Sequence, residues 1–212
     1  MAVERSQQGK TKTLTVTTDE TLRGATFQAE GDIAMQSKTG SIDLTAANVR
    51  SDNGGVALVA QVREVNLRAG HETDTLTQDS TSKKKGTFSK STTTTHDEVS
   101  NTYAIGTTVS GEIVAINADK VGIYGSDVVS SSGTTISGTH GVDIVNAEHT
   151  TTQAHNSSQK KSGMFGNGGA SFTIGSKKSD TESETISTTA RGSTVGSLQG
   201  NTTIVSGEGG VH

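Results

Sequence analysis

The chain has no cysteine and no proline. Without cysteine there is no disulfide framework and no thiolate metal site. Proline removes a ladder donor and is confined to strand edges and bulges. Its absence over 212 residues therefore suits a chain built almost wholly of paired strands. Aromatic residues make up 3%, tryptophan is missing, and the apolar fraction is 29%, too little for a thick globular core. No apolar run reaches the length of about 18 residues that a membrane-spanning helix needs. Met1-Ala2-Val3-Glu4-Arg5 lacks the apolar stretch of a signal peptide, and the chain is expected to be an internal segment of a larger protein. The net charge of only −4 and the regular spacing of Val, Ile and Leu argue against disorder. An ordered chain with little core per residue fits a repeat solenoid, in which each rung buries a thin strip.

The short repeat is direct. Gly31-Asp32-Ile33-Ala34-Met35 matches Gly54-Gly55-Val56-Ala57-Leu58 at an offset of 23. At the same offset Ser41-Ile42-Asp43-Leu44-Thr45-Ala46 matches Glu64-Val65-Asn66-Leu67-Arg68-Ala69. Two short alternating strands per repeat, separated by turn residues, mark a β-solenoid. Ile33 is then expected to stack on Val56, Ile42 on Val65 and Leu44 on Leu67, with rungs about 4.8 Å apart. An antiparallel sandwich of similar strands is the alternative, and the register kept over both strands argues against it. The pattern resumes from Gly111 to Tyr124 and again from Gly133 to Val145, and restarts from Ser197 to Val205. The expected architecture is all-β, a parallel β-solenoid with rungs of about 21–23 residues. Residues 1–12 are polar and read as frayed or as a lead into the first strand.

Two long polar insertions interrupt the rungs, at about 70–105 and 148–190. Each carries the same landmarks. Lys83-Lys84-Lys85-Gly86-Thr87-Phe88 returns as Lys160-Lys161-Ser162-Gly163-Met164-Phe165. Each insertion closes on a similar phrase, Gly106-Thr107-Thr108-Val109 and Gly192-Ser193-Thr194-Val195. The second copy is nine residues longer, the extra residues falling between Gly166 and Gly175. A recurring Thr-rich segment favours an elongated excursion, a hairpin or widened turns, over a structureless loop.

These phrases also carry a resemblance. Lys83 through Gly111, then Ile113-Val114-Ala115-Ile116-Asn117-Ala118-Asp119-Lys120-Val121 and Gly125-Ser126-Asp127-Val128-Val129, resemble the haemagglutinin repeat of filamentous-haemagglutinin-like exoproteins. So do Lys160 through Gly166, Phe172 through Lys178, and Ser193 through Leu198, so that the resemblance covers roughly residues 30–212. It implies a right-handed parallel β-helix secreted by a two-partner system, a hand that also follows the general rule for parallel crossovers. The repeat is similar to the second haemagglutinin region of contact-dependent growth inhibition effectors, which lies between the receptor-binding part and the toxin. The resemblance implies a role at the target cell's outer membrane during toxin delivery. Adhesins with the same repeat imply a structural stalk instead. The partners implied are the outer membrane or its lipopolysaccharide, the rest of the same exoprotein and a cognate outer-membrane secretion protein. End-to-end self-association of the fragment is a further expectation.

No constellation of a catalytic or cofactor site stands out. Gly9-Lys10-Thr11 lacks the leading glycine of a phosphate-binding loop, because Glu4 occupies that place. Gly163, Gly166, Gly168 and Gly169 lack the strand–loop–helix setting of a dinucleotide site and read as turn or packing residues. Among the histidines, His71 and His149 recur at equivalent places and, with Glu72, are the pair to examine for a metal, against the plainer reading of polar turn residues. Asp32, Asp43 and Asp143 alternate with apolar neighbours and are expected to face solvent, without the paired acids of a glycosidase. The expectation is a non-enzymatic segment with no cofactor and no metal. What remains is basic: Lys83, Lys84, Lys85, Lys160, Lys161, Lys177 and Lys178, with Phe88 and Phe165 beside them. These are the candidate contacts to anionic lipopolysaccharide or phospholipid headgroups. A nucleic-acid role is not expected, given the acidic balance and the missing stacking aromatics.

Overall fold

The structure is a computed structural model that describes residues 1–166 and 172–212. Gly168 and Gly169, and the side chain of Phe165, lie outside the described residues. Among the described residues there is no helix; sixteen strands form a ten-stranded and a six-stranded sheet. The chain divides into two units. One comprises Met1–Glu20, Thr73–Thr102 and Thr150–Thr188; the other comprises Thr21–Glu72, Tyr103–His149 and Thr189–His212.

The second unit holds the ten-stranded sheet, in which the pairings are parallel. Its strands are β3 (Thr26–Ala29), β4 (Ile33–Ser37), β5 (Ile42–Thr45), β6 (Asn48–Ser51), β7 (Val56–Arg68), β10 (Thr108–Tyr124), β11 (Asp127–Gly138), β12 (Val142–Val145), β15 (Thr194–Ser197) and β16 (Asn201–Ser206). The stacking expected from the 23-residue repeat is present: Ile33 opposes Val56, Ile42 opposes Val65 and Leu44 opposes Leu67. The columns continue through later strands. Met35, Leu58, Ile116, Ile136 and Ile204 form one; Phe27, Val49, Val109, Val128 and Val195 form another. Leu58, Val49, Val109 and Val128 are fully buried. Period-2 alternation explains this directly: Val56, Leu58 and Ala60 point inward while Ala57 and Val59 between them are only partly covered. β-Branched residues in register stack methyl on methyl, so a thin core still excludes water.

Polar residues in this unit stitch one rung to the next. The Thr107 hydroxyl donates to the carbonyls of Leu44 (3.0 Å) and Arg68 (2.9 Å) and accepts the Ala47 N–H. Asp32 accepts the Gly55 N–H at 2.7 Å, Asn66 donates to Asp43 at 2.9 Å, and Lys120 pairs with Asp143 at 2.8 Å. The three aspartates expected to face solvent thus also bond between rungs. Gly125 sits at a corner with φ +52°, where a Cβ would come within 2.3 Å of the Ala147 Cβ.

The first unit departs from parallel pairing. It holds β1 (Ala2–Gln8), β2 (Thr11–Glu20) and the greater part of β8 (Gly70–Lys85), β9 (Ser89–Ile105), β13 (Ala147–Gly166) and β14 (Phe172–Arg191), in the order β1-β2-β8-β9-β13-β14. The pairs β1–β2, β2–β8 and β9–β13 are antiparallel. Residues 1–12, expected to be frayed or to lead into the first strand, form a strand and a turn that lead into β2. Gly9, at φ +61°, lets the chain reverse, and Ala2–Gln8 pairs residue for residue with Thr11–Thr17. Each excursion runs out and back as two neighbouring strands, and β9 pairs with β13 from Ser89 to Thr102. Threonine supplies the strand propensity, and an outward strand can meet a returning one only antiparallel.

Candidate anion-binding surface

The twin lysine runs lie at one end of the six-stranded sheet. β8 turns into β9 where the Gly86 N–H donates to the Ser89 carbonyl at 2.8 Å, leaving Thr87 and the 71% exposed Phe88 at the tip. Gly163, at φ +145°, lies against this tip. A Cβ there would come within 2.3 Å of the Phe88 carbonyl, and its absence lets the Met164 N–H donate to that carbonyl at 3.1 Å. The second copy of the landmark thus packs on the first.

Pairing then fixes which lysines share a row. Lys160 opposes Thr92 and Lys161 opposes Ser91 across β9–β13. The turn at Gly86 and Ser89 carries back along β8 to set Lys83 opposite Thr92, Lys84 opposite Ser91 and Lys85 opposite Lys90. The Lys83 N–H donates to the Lys10 carbonyl at 3.3 Å, and Lys12 opposes Thr81. On the far side, Lys161 and Lys177 line one cavity with Gln159 and Ser179. All seven lysines named from sequence are therefore brought to one end, with three more, Lys10, Lys12 and Lys90, that the sequence reading passed over. Ten of the twelve lysines of the chain are gathered here, and segments 9–13, 81–95, 156–166 and 172–179 contain no carboxylate. Exposed Phe88, Met164 and Ile174 stand among them.

Acids begin just inward. A groove of about 690 Å³ is lined by Asp79, His96, Ser158, Asp180, Glu182 and neighbouring hydroxyls. Asp79 accepts from His96 at 2.6 Å, and this bond raises the His96 pKa. On the next row, Asp97 pairs with His155. Hydrogen bonds from Ser158, then from Lys178 at 2.9 Å, hold the Asp180 carboxyl below its ordinary range. In the other unit, His149 accepts the Ala104 N–H at 3.0 Å and stands edge-on to Tyr103, while Glu72 accepts the Leu22 N–H at 3.1 Å. Backbone thus occupies two of the three groups singled out for a metal, and among the described residues no three His, Asp or Glu side chains are grouped to hold one.

The hemagglutinin repeat family matches residues 5–94. This span takes in the end of β1, all of β2 and the first excursion as far as Thr94, and so reaches a hairpin outside the residues that carry the resemblance. The chain is 38% identical over 153 residues, 71% of its length, to the 16S rRNA endonuclease CdiA of Enterobacter cloacae. It carries a haemagglutinin repeat region of the CdiA type. It is also 37% identical over 149 residues, 69% of its length, to the tRNA nuclease CdiA of an Escherichia coli strain. The tRNA nuclease CdiA-2 of Burkholderia pseudomallei is 27% identical over 190 residues, 89% of the chain. The matches cover only 5–6% of these relatives. The nuclease names belong to those whole proteins. The CdiA-type repeat region is a structural segment of those proteins. No solved structure matches the chain.

Proposed function

We propose that this chain is a non-enzymatic β-helical segment of a secreted contact-dependent inhibition effector, and that its lysine-rich sheet end engages the outer membrane of the target cell during toxin delivery. The observation that carries the reading is the gathering of ten lysines, of which Lys178 pairs with the bordering Asp180, beside exposed Phe88, Met164 and Ile174. Cations that hold headgroup phosphates, with apolar side chains that enter the acyl boundary, are the chemistry of peripheral membrane binding. In-register parallel stacking in the ten-stranded sheet supports a parallel β-helix, and the rule for parallel crossovers supports its right hand.

The test is co-sedimentation of the purified chain with vesicles containing lipopolysaccharide or phosphatidylglycerol. Each lysine near an anionic surface contributes about 1 kcal/mol. Replacing Lys83, Lys84, Lys85, Lys160 and Lys161 with glutamine is therefore expected to reduce binding more than a hundredfold at low salt. Indifference of the unmodified chain to every vesicle composition would leave the structural stalk alone as the reading.

A further inference from the structure

Exposed lysines of β13 and β14 meet at one cavity. Gln159 and Lys161 on β13 share a cavity of about 180 Å³ with Lys177 and Ser179 on β14. Asp180 is hydrogen-bonded by Ser158, three rows inward from Lys161. Carried outward along the two strands, the Ser158–Asp180 contact sets Gln159 beside Ser179 and Lys161 beside Lys177. Like charges facing each other across neighbouring strands, about 4.8 Å apart, destabilise a sheet. Their neighbour Lys178 is neutralised by Asp180 at 2.9 Å, whereas neither Lys161 nor Lys177 has an ion-pair partner among the described residues. Ser91 opposes Lys161 from the other side, and Lys84 follows it in the same row.

We propose that Lys161 and Lys177 form a site for a phosphate monoester, whose dianion sits between the two ammonium groups and accepts from the Ser179 hydroxyl. The chemistry fits on three counts. The cavity, at about 180 Å³, has room for a tetrahedral oxyanion. The lining is two ammonium groups, a hydroxyl and an amide, with no carboxylate. A group of charge near −2 cancels the repulsion of the pair, where a phosphodiester of charge −1 cancels only half of it. The inference deepens the membrane reading, because it names the headgroup chemistry that this end selects.

The experiment has two arms on the full chain. In the first, inorganic phosphate is titrated while thermal unfolding and the ³¹P resonance are followed. The unmodified chain should show a saturable rise in melting temperature. K161Q/K177Q should lose at least tenfold in phosphate affinity, and should melt higher than the unmodified chain in phosphate-free, low-salt buffer because the repulsion is gone. K10Q/K12Q is the control, and should keep phosphate binding. In the second arm, vesicles with phosphatidic acid are compared with vesicles of equal charge made with phosphatidylglycerol. Preference for the monoester should vanish in K161Q/K177Q and should be competed by millimolar phosphate only in the unmodified chain. Absence of saturable phosphate binding, or equal loss in K10Q/K12Q, overturns the site. If phosphate binds as described and no vesicle does, the site stands and the membrane reading fails.

Discussion

The Ser126 hydroxyl accepts the Thr107 backbone N–H at 3.1 Å and donates to the Tyr124 carbonyl at 3.0 Å, and both residues are completely buried. One rung further, the Ser126 N–H donates to the Ser193 hydroxyl at 3.2 Å. Thr107, Ser126 and Ser193 each follow a glycine, and two of them stand where an excursion rejoins the rungs. A hydroxyl ladder thus fixes the corner that the chain must find after a long detour.

Replacing Thr107 with valine keeps shape and volume but leaves the Ala47 N–H without its acceptor and removes the hydroxyl bond to the Leu44 and Arg68 carbonyls, the latter keeping the Ala46 N–H. Buried polar groups left unpaired cost about 1–3 kcal/mol each in the absence of water. Thr107→Val is expected to lower the urea midpoint sharply, while Thr107→Ser, which keeps the hydroxyl, should recover most of the loss.

The core columns should respond by burial alone. Leu58 is fully buried between Met35 and Ile116, and Leu58→Ala should cost about 3 kcal/mol in chemical denaturation. Ile113, on an adjoining stretch of β10, is 54% exposed. Ile113→Ala should fall within about 0.5 kcal/mol of the unmodified chain.

Arg191 closes the second excursion. Its guanidinium donates to Asp127 at 2.8 Å and to the Gly125 carbonyl, through the space left by the missing Gly106 side chain. Lysine cannot make both contacts with the same fork geometry. Arg191→Lys and Arg191→Ala are expected to destabilise alike, and hydrogen exchange at β15 should rise in both.

A second ladder is sensitive to pH. His140 bonds Asp119 at 2.6 Å and stands 3.8 Å from Glu208. The Asp119 hydrogen bond chiefly raises the His140 pKa above its ordinary 6.5. A raised histidine pKa gives stability that is fully present below the unfolded value and lost as pH rises through the folded one. Melting temperature should therefore fall from about pH 6 toward pH 8. Asp119→Asn should flatten part of that fall, and Asp79→Asn, by releasing His96, a further part.

The rungs were legible because Ile33, Ile42 and Leu44 recur as Val56, Val65 and Leu67 at one spacing, and a one-residue slip would turn each outward. The twin lysine runs were legible as copies. Their pairing was not. Strands such as Ser89–Ile105 carry threonine and serine on both faces, so no period-2 contrast marks the inner side or the register. That Lys10 and Lys12 join the other lysines was not legible for the same reason: the hairpin that carries them is polar throughout, and its partner β8 lies some sixty residues away in the chain.

The antiparallel unit carries eleven cationic side chains, Arg5 and ten lysines, against ten carboxylates, so it is close to neutral as a whole. The carboxylates, from Asp79, Asp97 and Asp180 back to Asp19, Glu20 and Asp74, all lie outside the lysine segments. The unit is therefore an electric dipole with little net charge. A negatively charged surface exerts a turning moment on it before it exerts much pull. Within a Debye length, about 8 Å at physiological ionic strength, the lysine end swings toward that surface and the acidic end away. Approach in the opposite orientation is repelled, so the polarity of this one sheet selects the face that arrives first.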